Sequence, residues 1–185
     1  METTLVSSAT SQQEQDMFRA ISLAALLTGT LHLAAAIIKF FIEHQQGPFP
    51  VFRYIASGVF GKETASTGTL MIVWGLVFHY INAFLFTAFL FLIYPKLIGW
   101  LKSKFLTGII YGIFTWALMN FVVVPLSRIN KFPSGAKEAV IAAMILICMI
   151  GLPVALLAHR YYSRSRRLNL NFINNNREVA KTHRA

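Results

Sequence analysis

Four polar side chains lie within long apolar stretches of this chain and are its best candidates for chemistry. They are two histidines and two asparagines, His32, His79, Asn82 and Asn120. Polar groups inside apolar segments of membrane length are costly to bury and therefore mark functional candidates. Imidazole titrates at about pH 6.5 in water, so a pair of histidines could couple a site to protons.

The spacing of these residues predicts that they lie at similar depths. If consecutive segments run in opposite directions, His32 and His79 lie about ten residues, or ~15 Å, from the segment ends opposite the termini. Asn82 follows His79 by three residues, which places both on one helix face. Asn120 lies about six residues from the same end of its segment. We therefore expect a polar cavity that opens on this side; the alternative, interhelical hydrogen bonds that only fix packing, stays open.

The sequence favours neither a metal site nor an enzyme. Two histidines without a nearby carboxylate or thiol leave zinc coordination incomplete. The one cysteine, Cys148, cannot form an intramolecular disulfide, and its apolar stretch predicts a small core side chain. The acidic residues of the same side share no recognisable motif spacing with His32 or His79. We expect no catalytic residue, no metal ligand, no cofactor and no enzyme activity.

The elements that must position these groups are four apolar stretches, each long enough to cross a bilayer. A helix needs about 20 mostly apolar residues to span ~30 Å of hydrocarbon, and it satisfies its own backbone hydrogen bonds there. The sequence predicts an all-α, polytopic membrane protein whose four transmembrane helices cover about 18–42, 68–94, 105–126 and 137–159. We expect Pro95 to end the second of these helices, and Gly151 and Pro153 to kink the fourth.

One more apolar segment, about residues 50–60, is too short to cross. Pro50 suits a first helical turn, Gly61 suits a stop, and aromatic residues between them suit a membrane interface. We interpret it as a short interfacial or re-entrant helix. An irregular surface loop is the alternative.

The chain contains 185 residues, of which 56% are hydrophobic, so its loops and tails are too short for a separate soluble domain. We expect one transmembrane domain, residues 18–160, between a polar, disordered N-terminal tail, 1–17, and a basic, flexible C-terminal tail, 161–185. Residues 1–17 lack the basic start of a cleaved signal, which predicts that the first apolar segment is retained.

The basic residues are unevenly distributed between the two sides. With four spans, eleven lysines and arginines fall on the side of the termini and six on the other. This bias predicts cytoplasmic termini. The net charge of +10 resides in loops and tails beside apolar spans, which favours membrane lipids over nucleic acid as partners. We expect the arginines after the fourth span to contact anionic headgroups: Arg160, Arg164, Arg166 and Arg167.

Glycines within the spans predict close contacts between helices. Gly108 and Gly112 form a small-xxx-small pair on one face of the third span, and Gly75 and Gly151 are single contacts in the second and fourth. Packing within one chain is the favoured interpretation. Homo-oligomerisation through the Gly108 face is the alternative.

Several of these segments resemble a known family. VFRYIASGVFGKETASTG, WGLVFHYINAFLFTAFLFLIYP, GIIYGIFTWALMNFVVVPLS and GLPVALLAHR together resemble uncharacterised bacterial inner-membrane proteins of the YagU-like kind, which have four predicted spans. The likeness runs from about residue 50 to residue 160, and MNFVVVPLS is its most specific part. The resemblance implies a bacterial inner-membrane protein with no assigned reaction, and it supplies no catalytic residue.

Two functions fit these observations. The first is a structural or accessory four-helix membrane protein without catalytic turnover. The second is a small transporter or proton-conducting component, with the His and Asn side chains along its path. The apolar stretches 18–42, 68–93, 105–126 and 139–158 contain no Asp or Glu, the usual proton carriers, so the first function is favoured.

Overall fold

The computed structural model describes residues 2–66, 68–132 and 135–182, with side chains described from residue 12 to residue 167 within those ranges. Every regular element there is helical. The chain begins with α1 (Glu2–His44), α2 (Phe49–Phe60), α3 (Lys62–Ser66) and α4 (Leu70–Leu101). Two interrupted helices follow. The first comprises α5 (Lys104–Leu118), a π turn (Met119–Val123) and α6 (Val124–Leu126), and the second comprises α7 (Ala136–Leu146), a π turn (Ile147–Gly151) and α8 (Leu152–Thr182).

Four helical segments of the described ranges are long and apolar enough to cross a membrane: Gln12–His44, Leu70–Leu101, Lys104–Leu126 and Ala136–Arg167. They are called spans one to four below. Large apolar side chains such as Leu23, Leu92 and Leu126 are exposed on their outer faces. Such surfaces are unfavourable in water and suit lipid, so the predicted all-α, four-span membrane fold is confirmed.

Both terminal segments continue the helices of the spans instead of forming irregular tails. Helix α1 has 43 residues, and at ~1.5 Å per residue it extends well beyond ~30 Å of hydrocarbon. Residues 2–17 and 161–182, predicted as polar tails with little order, are thus helical in the structure. The chain has no glycine or proline before Gly29 or after Pro153, so each helix propagates from the span without interruption. Met1 and residues 183–185 of the predicted tails lie outside the described residues.

Pro95 does not end the second span, contrary to expectation. Helix α4 runs on to Leu101 and stops at Lys102, which takes a left-handed conformation with φ of 52°. Because proline has no N–H, Pro95 cannot donate a hydrogen bond to the carbonyl of Phe91, four residues earlier. The hydroxyl of Tyr162 in α8 donates to that carbonyl at 2.7 Å instead. A neighbouring helix thus satisfies the group that proline leaves free.

Each of the two π turns is followed closely by a proline. The first ends at Val123, two residues before Pro125, and the second ends at Gly151, two residues before Pro153. A π turn is wider than an α turn, and it gives the proline ring room against the preceding turn of helix. The irregularity expected near Gly151 and Pro153 is therefore present in span four, and span three has a matching one.

Spans three and four approach each other backbone to backbone through glycines. A Cβ atom on Gly108 would lie 2.9 Å from the carbonyl oxygen of Gly151, and one on Gly112 would lie 2.6 Å from Cα of Ile147. The Gly108 and Gly112 face is therefore used within the chain, against the second π turn. A glycine also allows close backbone contact between α2 and span two, where a Cβ on Gly75 would overlap the backbone carbonyl of Phe52.

Helix α2 packs across the start of α4, so the alternative of an irregular loop is wrong. Its Phe60 ring lies 5.9 Å from that of Trp74 and 5.8 Å from that of Phe78, centroid to centroid. Helix α2 ends at Gly61, whose φ of 87° is readily adopted only by glycine. The backbone N–H of Arg128 donates to the carbonyl of Gly58 at 2.9 Å, which ties the end of span three to α2.

The core occupies the half of the bundle nearer the termini. Leu90, Phe91 and Tyr94 of span two are completely or almost completely buried there. They pack with Tyr111 of span three and with small or branched residues of span four, namely Val154, Ala155 and Ala158. The opposite half of the bundle is less filled.

Candidate functional site

A cavity of about 500 Å³ lies between spans one, three and four, in the half of the bundle away from the termini. Its walls are mostly apolar and include Ala36 of span one, Met119 of span three, and Ala142 and Leu146 of span four. Its polar lining comprises His32, Lys39, Tyr54, Asn120, Lys131 and Glu138. The volume falls within the ~300–1,000 Å³ typical of small-molecule sites.

His32 lines the cavity and is supported from behind by His79. The two imidazole rings stack with centroids 5.6 Å apart and planes 10° from parallel. His79 is buried, and its Nε2 lies 2.8 Å from the carbonyl oxygen of Gly29 in span one. A carbonyl can only accept, so Nε2 carries the proton, and the neutral ring has its acceptor at Nδ1. His32 itself lines the cavity, and no hydrogen bond joins its ring nitrogens to another described residue.

Asn120 reaches the cavity from the first π turn. Its Nδ2 donates to the carbonyl of Trp116 at 2.9 Å, one turn earlier in the same span. This bond holds the amide against the helix and uses one of its two N–H donors, so the second N–H and the side-chain oxygen form no hydrogen bond within the described residues. The π turn changes the direction of the residues it contains, which is one reason why such turns are frequent at functional sites.

The structure therefore brings together some of the predicted cavity residues and not others. His32 and Asn120 line the cavity, His79 lies directly behind His32, and Asn82 lies apart, half-buried on α4. Span two packs against α2 and against each of the three spans that enclose the cavity, but it contributes no residue to the cavity lining. Its side chains can support the lining but do not reach the space, which is why Asn82 is excluded.

The rim of the cavity carries charges of both signs. The Nζ of Lys39 lies 2.6 Å from a carboxylate oxygen of Glu43, one turn later in α1. Lys131 and Glu138 are exposed on the connection from span three to span four and on the first turn of α7. Partial burial raises the pKa of the Tyr54 hydroxyl, so this group stays protonated at neutral pH and can donate a hydrogen bond.

The rim residues Tyr54, Lys131 and Glu138 were missed by sequence reasoning. They belong to α2, to the connection between spans three and four, and to the start of span four, where polar residues are common. Only the position of these segments over the cavity gives them a role. The charged flanks of the short connection from span three to span four were the one available signal.

A second polar cluster, also unpredicted, joins spans two and four near the termini. The Tyr94 hydroxyl and Nδ1 of His159 lie 3.1 Å apart, and the Tyr94 and Tyr162 rings stack with centroids 5.8 Å apart. Tyr162 also satisfies the Phe91 carbonyl opposite Pro95. Each polar atom of this cluster has a partner within the chain, so the cluster serves helix packing.

The four arginines in the last turns of span four are all exposed on α8: Arg160, Arg164, Arg166 and Arg167. Beside them, the Tyr161 hydroxyl donates to the carbonyl of Gln13 at 3.5 Å. Helices α1 and α8 therefore run side by side on the side of the termini. The arginines are placed where lipid headgroups would meet them if the core lies within the bilayer.

Cys148 is exposed on span four, contrary to the core position expected from sequence. The second π turn directs Ile150 and Gly151 into the bundle, which leaves Cys148 on its outer face. Within the described residues, no three His, Cys, Asp or Glu side chains come together as a metal site would need.

Comparison with protein-family models, with curated proteins and with solved structures found no match to this chain.

Proposed function

We propose that this chain, a multi-pass membrane protein by its fold, is a structural or accessory protein without catalytic turnover. One observation carries the proposal. Below the cavity, the half of the bundle nearer the termini is filled by close-packed side chains, including Phe91, Tyr94 and Tyr111, each at most 2% exposed. A core of this kind suits a rigid scaffold, and it closes the cavity on the side of the termini.

A second function, that of a small transporter or proton-conducting component, is favoured by the cavity. His32 and Asn120 line the cavity, and His79 stacks on His32. Two titratable imidazole rings therefore lie at the inner end of the cavity. Conduction from this point would require rearrangement of the core.

Proton flux in proteoliposomes separates the two functions. Because the core closes the cavity, vesicles containing the protein are expected to collapse a pH gradient no faster than protein-free vesicles. The His79→Gln variant should behave identically. A flux above the protein-free rate that falls in His79→Gln vesicles would contradict the accessory role and support the transport role.

We further propose that the protein resides in a bacterial inner membrane with both termini in the cytoplasm. The resemblance to YagU-like proteins supports the location, and the excess of lysine and arginine on the side of the termini supports the orientation. In this orientation, the arginines from Arg160 to Arg167 meet the inner leaflet. Each cation near an anionic surface contributes about 1 kcal/mol to lipid attraction.

The orientation predicts the behaviour of a reporter fused after Ala185. Alkaline phosphatase, which is active only outside the cytoplasm, should be inactive there, and green fluorescent protein should fluoresce. Alkaline phosphatase fused to the exposed connection at Lys131 should be active. Phosphatase activity at Ala185 without activity at Lys131 would overturn the orientation.

A further inference from the structure

The inner end of the cavity presents hydrogen-bonding groups to an otherwise apolar space. A neutral imidazole at His32 has one N–H donor and one nitrogen acceptor. At Asn120, one amide N–H is occupied by the Trp116 carbonyl, and the side-chain oxygen is left as an acceptor. Polar groups that line an apolar cavity are costly unless they find partners. An occupant should therefore carry hydrogen-bonding atoms at the end that reaches His32 and Asn120.

The body of such an occupant must be apolar. Between the inner end and the rim, the lining consists of small or branched side chains, including Ala36, Ala142 and Ile145. These side chains offer contact area and no hydrogen bonds. A molecule with one polar end and an apolar body matches this arrangement, with its polar end innermost.

The charges of the cavity argue for an uncharged polar end. No Asp, Glu, Lys or Arg among the described lining residues lies at the inner end, and burial of an ion there without a charged partner is unfavourable. At the rim, Lys39 already forms an ion pair with Glu43, and Lys131 is accompanied by Glu138. The rim therefore carries charges of both signs.

We propose that this cavity binds an uncharged amphiphile whose hydroxyl or carbonyl end makes hydrogen bonds to His32 and Asn120. Its apolar body lies along spans one and four, and His79 acts as a positioning residue that holds the His32 ring through stacking. This inference goes beyond the proposed function and does not depend on it, because a scaffold and a transporter could both contain the site.

Photoaffinity labelling in lipid nanodiscs tests the proposal. The probe is dodecanol with a diazirine near its hydroxyl, and the labelled peptides are identified by mass spectrometry. We expect labelling at the inner lining, around Met119 and Leu146. Unlabelled dodecanol should compete at concentrations about tenfold lower than dodecanoate or dodecylammonium of the same length, since these carry a charge into the apolar end.

Two variants make the test specific. His32→Leu/Asn120→Leu removes both polar groups and should reduce labelling about tenfold. His44→Leu/Asn82→Leu removes the same residue types from positions outside the cavity and should label like the native chain. If the first variant does not fold, Ala142→Leu, which fills the cavity and keeps its polar groups, should abolish the same labelling.

Three results would overturn the proposal. The first is labelling spread over the lipid-facing surfaces with none at the cavity, which would mean that the cavity holds only water. The second is equal labelling of the native chain and the cavity variants. The third is competition by dodecanoate or dodecylammonium as strong as that by dodecanol. None of these results bears on proton flux, so failure of this inference is distinguishable from failure of the proposed function.

Discussion

Replacement of Gly151 by leucine is expected to cost about 3 kcal/mol of stability or more, the largest effect of any change considered. Gly151 lies at the end of the second π turn, where span four touches span three. A Cβ atom there would lie 2.9 Å from both the Cα and the backbone nitrogen of Gly112, and it would overlap the Gly108 carbonyl. Because these are backbone atoms, no change of rotamer can relieve the clash, and the two spans must separate.

The unfolding midpoint in a mild detergent measures this effect. Gly151→Leu should lower it by at least about 6 °C, as a loss of this size does in chains of similar length. Gly99→Leu is the matched control, because Gly99 is also within a span, but an added Cβ there would meet nothing within 4 Å apart from its own turn of helix. Equal midpoints for the two variants would show that spans three and four do not meet at Gly151.

Removal of the Tyr162 hydroxyl is the second change with a large expected effect. Tyr162→Phe leaves the Phe91 carbonyl without a donor in the core, because Pro95 cannot replace the lost hydrogen bond. A buried carbonyl left unsatisfied costs about 1–3 kcal/mol. Tyr161→Phe is the control, since the Tyr161 hydroxyl makes only a long hydrogen bond of 3.5 Å to Gln13.

A double-mutant cycle with Pro95→Ala isolates the cause. Alanine at position 95 restores the N–H that reaches the Phe91 carbonyl, so Tyr162→Phe should cost much less in that background. The two substitutions are thus expected to be non-additive in unfolding free energy. If Tyr162→Phe costs the same with proline and with alanine at position 95, the hydroxyl does not compensate for the proline.

The elements that sequence predicted well are those set by length and hydropathy. The four spans follow from stretches of about 20 apolar residues, because only helices satisfy their backbone groups in lipid. Helix α2 was predictable from Pro50 and Gly61, since proline fits a first helical turn and Gly61 adopts a positive φ where α2 ends. The helical structure of the two tails was not predicted, because polar composition alone says little about a segment that continues an existing helix.

The depth of the cavity was predictable from the sequence, but only some of its lining residues were. A fixed rise per residue places His32 and Asn120 at comparable levels whatever the arrangement of the spans. Which helix faces which depends on tertiary packing, so the exclusion of Asn82 and the position of His79 behind His32 were not predictable. The same limit applies to Pro95, whose effect on α4 depends on a tyrosine 67 residues later in the chain.

The reactivity of Cys148 shows whether these helices are stable in lipid and not in water. This residue is the one cysteine of the chain, and it is exposed on span four, about 18 Å along the helix from Ala136. In liposomes, lipid should cover this thiol, so a charged, membrane-impermeant maleimide should not react with it until the protein is denatured. A Lys131→Cys/Cys148→Ser variant, with its thiol on an exposed connection, should react at once where that side is accessible. Rapid and complete labelling of Cys148 in the native protein would mean that water surrounds span four, and the account would be contradicted.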